Sequence, residues 1–199
     1  VKRMTLISRL KQFFKSPFDD DMAHALYVSV VAQARNPAFY EGLGVPDSPE
    51  GRYDMVALHA YLVLDRLQAD STIDPQLSQA LFDIMFADLD QNLRELSIGD
   101  TGVAKRIKKM AEGFYGRATA YDDALAENDS DVALKDVINR NIFRKVQSDE
   151  QGLETMARYI RAEQQNLKNQ SRDTILTGAI QFGSVVVGPV LVGPTQAEA

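Results

Sequence analysis

The sequence predicts an all-α fold, a single compact multi-helix domain that ends in an extended or short-strand C-terminal tail. Apolar residues recur every three or four positions along most of the chain, which is the spacing of amphipathic helices. The composition, 45% hydrophobic and 25% charged over 199 residues, is that of an ordinary globular domain. We therefore expect an N-terminal amphipathic segment (residues 1–17), a helical domain (18–173) and an apolar tail (174–199) that is uncharged as far as Ala197.

Composition and motifs also limit the chemistry that this chain can perform. A net charge of −6 disfavours a general nucleic-acid coat, so we predict no DNA partner. The absence of cysteine excludes disulfides, thiol nucleophiles and cysteine metal sites, and the sequence contains two histidines, His24 and His59. No phosphate loop, GxSxG or HExxH motif occurs. The sequence therefore predicts no enzyme: no catalytic residue, no metal, no cofactor and no small-molecule substrate.

The first elements are predicted from their apolar spacing and their start and stop signals. Residues 4–15 form a basic amphipathic segment, which either lies on an anionic membrane surface or docks on the domain as a first helix. A helix follows over 22–34, preceded by three aspartates that favour its start. Residues 37–54 are rich in Gly and Pro and predict an ordered loop, pinned to the core by Phe39, Tyr40, Leu43 and Val45. Residues 55–67 are apolar almost all round and predict a central buried helix, in which His59 is expected as a hydrogen-bonded core residue.

Two amphipathic helices joined by a short turn form the centre of the predicted domain. Asp74-Pro75 opens the first, acidic helix, the turn spans residues 97–102, and the second, basic helix runs from Val103 to about Leu125. Four cations lie in the first turns of the basic helix: Lys105, Arg106, Lys108 and Lys109. Each opposes the helix dipole by about 0.3–1 kcal/mol at low salt, which favours a role in a contact. The alternatives are a solvated face, or pairing with the acids of the first helix.

Two further helices and the tail complete the chain. Apolar spacing predicts these helices over 132–145 and 150–170. The tail from Thr174 to Ala197 contains long apolar runs, so a membrane span of about 20 residues is an alternative. The glycines and prolines of the tail argue against that span. Its run of valines favours extended backbone, laid on the domain or bound to a partner.

Two long blocks of the chain carry a family resemblance. They are FYEGLGVPDSPEGRYDMVALHAYLVLDRL (39–67) and LFDIMFADLDQNLRELSIGDTGVAKRIKKMAEGFYGRATAYDDAL (81–125). Both resemble the ubiquinol–cytochrome c chaperone family, strongly over 38–125 and loosely over 19–170. The resemblance implies a helical, non-catalytic chaperone that binds newly made cytochrome b and assists assembly of ubiquinol–cytochrome c reductase, respiratory complex III. The short length and the N-terminus are similar to bacterial members, which implies a cytoplasmic protein peripheral to the inner membrane.

The resemblance also implies contact with the ribosome and a small partner protein, as in the mitochondrial members of the family. A chaperone for a membrane subunit must in addition sit at a membrane or ribosome surface, so we expect contact with the ribosome or an anionic membrane surface. A general helical protein-interaction scaffold at the membrane surface is the alternative. A chaperone that holds apolar helices needs an apolar groove, which we expect between the loop 39–53 and the turn 97–102. The predicted partner-binding residues are Lys105, Arg106, Lys108, Lys109, Asp88, Asp90, Phe39, Tyr40 and Arg52.

Overall fold

The structure, a computed structural model, describes residues 20–95, 100–127, 130–144 and 150–186, and this part of the chain contains seven α-helices and no β-strand. The helices are α1 (Asp20–Ala34), α2 (Pro49–Ala69), α3 (Pro75–Glu95), α4 (Asp100–Ala126), α5 (Val132–Ile138), α6 (Glu150–Asn169) and α7 (Arg172–Leu176). Two π-helical turns, Ala38–Gly42 and Asn139–Phe143, follow α1 and α5. The all-α prediction is confirmed. The N-terminal segment predicted over 1–17 lies outside the described residues.

The central helix of the domain is α2, which contacts α1, α3 and α6. Its N-terminus is capped by the Ser48 hydroxyl, which accepts a hydrogen bond from the Gly51 amide at 3.1 Å. Pro49 occupies the first turn, where a helix needs no N–H donor. Because of these two signals α2 begins at Pro49, and the loop predicted over 37–54 ends at Ser48. The prediction of a helix that is buried almost all round is confirmed.

His59 lies inside α2 with no exposed surface. Its Nδ1 atom is 2.8 Å from the Met55 carbonyl oxygen, and its Nε2 atom is 2.8 Å from the Tyr159 hydroxyl oxygen of α6. Burial lowers the pKa of His59 to about 4, so the imidazole is neutral at neutral pH. The prediction of a hydrogen-bonded core histidine is confirmed.

The predicted acidic and basic helices are α3 and α4, and aromatic rings join them. The Phe82 ring of α3 has its centroid 5.7 Å from that of Phe114 and 5.4 Å from that of Tyr115, both in α4. Tyr121 of α4 stacks on Tyr61 of α2 at 5.2 Å. The basic helix is therefore fixed to both the acidic helix and the central helix.

The end of the chain differs from the prediction at two points. The helix expected over 132–145 is α-helical only to Ile138 and continues as a π-helical turn. The expected start of the tail falls within α7, where Ile175 is buried in the core. Residues 178–186 then lie against the domain without helix or strand, as expected for a segment laid on its surface. No described helix is both long enough and apolar enough to cross a bilayer.

Candidate partner-binding surface

The predicted basic face lies on the first turns of α4. All four of its cations are exposed, and none of them forms an ion pair with a described residue: Lys105, Arg106, Lys108 and Lys109. Val103 in the same turns is fully buried, and Ile107 and Met110 pack against the core. The helix is thus anchored by its apolar face and presents to solvent four positive charges that have no ion-pair partner among the described residues. We call these four side chains the basic face.

The acidic residues of α3 bind other groups. Asp88 accepts a hydrogen bond from the Tyr27 hydroxyl of α1 at 2.7 Å. Asp90 pairs with Arg94 one turn further along α3, with 2.6 Å between Oδ2 and Nε. Among the described side chains no ion pair joins α3 to the basic face, so mutual pairing of the two helices does not explain the four cations. The role of Asp88 and Asp90 in partner binding stays a prediction.

Phe39 holds its loop on the core, as predicted, and its role in partner binding stays a prediction. Its side chain has no exposed surface. The ring packs edge-on against His59 and Tyr159, with centroid distances of 5.4 and 5.1 Å. Phe39 is therefore a core residue that closes the domain over α2, and in this conformation its ring is not available to a partner.

The other two predicted loop residues reach the surface. Tyr40 is partly buried and donates its hydroxyl to the Ala34 carbonyl at 2.7 Å, which fixes the π-helical turn to the end of α1. Burial raises the pKa of Tyr40. Arg52 is exposed at the start of α2, and its Nε atom lies 2.6 Å from Asp47 Oδ1. Both side chains thus have local partners and keep a solvent-facing portion.

The groove expected between the loop and the turn is tested only on the loop side. Leu43 and Val45 are buried and hold this loop on the core, as predicted. Tyr53, at the end of the predicted loop, lies in α2 and donates its hydroxyl to the Met110 carbonyl of α4 at 3.2 Å. The start of α2 and the first half of α4 are therefore in contact. Residues 96–99 of the predicted turn lie outside the described residues, and the groove stays a prediction.

A buried charge cluster that the sequence analysis missed lies next to this contact. Asp54 of α2 is 3% exposed and pairs with Arg117 of α4 and with Arg144 after the second π-helical turn. The Arg117 guanidinium also lies over the Tyr53 ring, 5.4 Å from its centroid. Burial raises the pKa of the Asp54 carboxyl, and the two arginines oppose that rise. The sequence did contain a signal for this cluster. Asp54 is an acidic residue at the start of an apolar helix, where its carboxylate would be buried and would need ion-pair partners.

Two further findings concern small ligands. A depression of about 190 Å³ lies at the connection between α2 and α3, and Asp70 is the one titratable residue among the described side chains that line it. Within the described ranges, no group of three or more His, Asp or Glu side chains is placed to hold a metal ion.

The chain is similar to known proteins in sequence and in structure. The family model described as ubiquinol-cytochrome C chaperone matches residues 41–182. The crystal structure of the Cbp3 homolog from Brucella abortus is 37% identical, with a TM-score of 0.73, over 82% of this chain and 90% of that one.

Curated relatives come from vertebrates. Ubiquinol-cytochrome-c reductase complex assembly factor 1 from Xenopus laevis is 23% identical over 81% of this chain and 80% of its own length. The Mus musculus protein of that name is 22% identical over 81% of this chain and 54% of its own length, so the chain spans about half of the mouse relative. The family match runs from the first π-helical turn to the segment after α7, and the chain therefore belongs to the ubiquinol-cytochrome C chaperone family.

Proposed function

We propose that this protein is a non-catalytic assembly chaperone that binds newly made cytochrome b and assists assembly of ubiquinol–cytochrome c reductase. Family membership supports the assembly role, since the curated relatives are named as assembly factors of that complex. A membrane subunit exposes apolar helices before it is assembled, and a helical domain can hold such a segment by helix-in-groove packing. The proposed place of work is the cytoplasmic side of a bacterial inner membrane, to which the protein binds peripherally.

The observation that carries this proposal is the basic face of α4. A chain with a net charge of −6 concentrates four exposed cations on two turns of one helix, and none of them pairs with a side chain in the part that the structure describes. Their placement at a helix N-terminus is locally unfavourable, so a compensating anionic partner would stabilise them. Membrane headgroups and ribosomal RNA both supply such charge, and both lie next to a membrane subunit during its synthesis. We propose that the basic face holds the chaperone at that place.

The test is charge reversal of the basic face in cells that lack the native gene. The variant carries Lys105→Glu, Lys108→Glu and Lys109→Glu, and a matched control carries Arg35→Glu, Arg158→Glu and Arg172→Glu. The control changes the net charge equally, because all three of its arginines are exposed and lie outside α4. Each variant is purified by a tag from membrane extracts, and the cytochrome b that copurifies is quantified.

We expect the basic-face variant to capture at least tenfold less cytochrome b than the control. Undiminished capture by a variant with unchanged helical content and Tm would contradict the assignment of this face. The assembly role has its own test, which is deletion of the gene followed by a haem spectrum. Normal levels of b-type cytochrome would contradict that role and favour a general protein-interaction scaffold at the membrane surface.

A further inference from the structure

Residues 178–186, which we call the tail segment, are held on the domain by backbone hydrogen bonds and by the apolar side chains of Ile180, Phe182 and Val185. The Gln170 amide binds both backbone groups of Gln181: its Nε2 donates to the carbonyl at 2.6 Å, and its Oε1 accepts from the N–H at 3.0 Å. Asn166 of α6 donates to the same carbonyl at 2.8 Å. Side chains of the domain thus satisfy a peptide unit as a neighbouring strand would.

The same pattern recurs two residues further along the tail segment. The Glu163 carboxylate of α6 accepts from the Gly183 N–H at 2.9 Å, and the Gln33 amide of α1 donates to the Gly183 carbonyl at 3.1 Å. Alternate residues that present N–H and C=O to one side are characteristic of an extended chain. Recognition through backbone groups places few demands on sequence and is the way many proteins bind extended peptides.

Several positions in the tail segment also select a residue. Ile180 is buried and Val185 packs against the core. At Gly178, where φ is +71°, a Cβ atom would lie 2.4 Å from the Ala25 Cβ atom.

Phe182 and Gly183 are selected by the same surface that binds the backbone. The Phe182 ring packs edge-on against His59, with 5.3 Å between the centroids. At Gly183, a Cβ atom would lie 2.4 Å from Glu163 Oε1, so this position favours glycine. Glu163 is 3% exposed and forms no ion pair with a described cation, so an acidic residue of a bound peptide would be repelled here.

We propose that the surface formed by Gln33, His59, Tyr159, Glu163, Asn166 and Gln170, here called the tail groove, is a second docking site. Its occupant is an extended, uncharged segment of a partner protein in which an aromatic residue is followed by glycine. In the structure the protein's own tail segment fills the site and has this chemistry: residues 174–197 carry no charge and contain Phe182-Gly183. A partner segment therefore binds by displacing the tail. This inference is independent of the basic face and of the identity of the partner.

The test uses the full chain and a fluorescent peptide with the tail sequence GAIQFGSVV. Gly183→Asp places a second carboxylate against Glu163 and releases the tail segment. Ser184→Asp is the matched control, since it adds the same charge one residue away at an exposed position. Hydrogen exchange of residues 179–186 measures release, and fluorescence anisotropy measures binding of the added peptide. Phe182→Ala, which removes the ring packed on His59, is a second releasing variant for the case that Gly183→Asp fails to fold.

We expect the released variant to bind the peptide at least tenfold more tightly than the wild type or Ser184→Asp, because a tethered tail competes at high effective concentration. Adding Gln170→Ala to the released variant should abolish binding. If a variant with a released tail does not bind the peptide, the proposal is overturned. It is also overturned if hydrogen exchange of residues 179–186 is no faster than in the wild type in both Gly183→Asp and Phe182→Ala. A concentration-dependent dimer of the wild type would assign the groove to the tail of a second copy and would overturn the partner assignment.

Discussion

The Asp54 carboxylate forms two hydrogen bonds with the Arg144 guanidinium, from Nε at 2.7 Å and from Nη2 at 2.6 Å, although the residues lie 90 positions apart in the sequence. Arg117 donates to the same carboxylate at 2.5 Å. Arg144 has a φ of +55°, which is uncommon for a residue with a side chain. A single buried carboxylate therefore ties together α2, α4 and the chain after α5, and it helps to hold a strained backbone position.

Removal of the Asp54 carboxylate should destabilise the folded protein. We expect Asp54→Asn to lower the free energy of unfolding by about 3 kcal/mol, because the substitution leaves two cations without their counter-charge. This value is the low end for a buried pair, since the arginine side chains stay 21% and 40% exposed. Urea unfolding followed by circular dichroism measures it. The control is Asp47→Asn, which breaks the exposed pair with Arg52 and should change the free energy of unfolding far less, since exposed pairs contribute little. Equal losses from both variants would contradict this account of the cluster.

Stability should fall in mild acid because of His59. The unfolded chain binds a proton at this site with the ordinary pKa of 6.5, and the folded chain only at about 4. Stability is therefore fully present above pH 6.5, is lost as the pH falls towards 4, and levels off below that. Between pH 7.5 and 5 the loss from His59 is about 2 kcal/mol.

Denaturation by urea at the two pH values, for wild type and His59→Gln, isolates this effect. Between pH 7.5 and 5, the difference in the free energy of unfolding between the wild type and His59→Gln should change by about 2 kcal/mol, since the glutamine side chain does not titrate. His24→Gln, which removes the other histidine of the sequence at an exposed position, is measured alongside as a control. A His59→Gln protein whose stability keeps the wild-type pH dependence would show that another group is responsible.

The features that were predicted correctly depend on local sequence. Helix spacing, the Asp74-Pro75 start of α3 and the burial of His59 in an apolar run each follow from neighbouring residues. The features that were missed depend on contacts between distant residues. Asp54 binds Arg117 and Arg144, which are 63 and 90 positions away, and a single sequence does not reveal such pairs. The same reason applies to Gly183, whose N–H meets Glu163 only after α6 and the tail segment have packed together.

Phe39 shows a second limit of the sequence argument. Two roles were expected for it, pinning the loop to the core and binding a partner, and its neighbours in the sequence do not decide between them. Its ring is fully buried, because the π-helical turn points it at His59 and Tyr159. An aromatic residue in a loop can thus be a core residue or a binding residue, and only the direction of the backbone decides between them.

Replacement of glycine by alanine should destabilise the protein at Gly51 and stabilise it at Gly113 and Gly116. Gly51→Ala would place a Cβ atom 2.0 Å from the Pro46 carbonyl oxygen, and the backbone there cannot yield cheaply. We expect a loss of about 3 kcal/mol in the free energy of unfolding. Gly113 and Gly116 in α4 are exposed, and a Cβ atom added at either would meet no atom within 4 Å, so alanine at either should stabilise by about 0.5–1 kcal/mol. Thermal and urea unfolding of the three variants measure these changes. A Gly51→Ala protein as stable as the wild type would show that Pro46 does not pack against α2.

The basic face should bind anionic surfaces in a manner that depends on salt. Each cation near a surface of anionic lipid contributes about 1 kcal/mol, so loss of the positive charges of Lys105, Lys108 and Lys109 should alone weaken binding to anionic vesicles by roughly a hundredfold, and their reversal should weaken it further. Binding of the wild type should also fall steeply as the ionic strength rises, because exposed charges are screened. Vesicle cosedimentation with and without anionic lipid measures both effects. The triple reversal of Arg35, Arg158 and Arg172 separates the face from the net charge. If that control weakens binding equally, the attraction depends on total charge and the arrangement of cations on α4 is irrelevant to it.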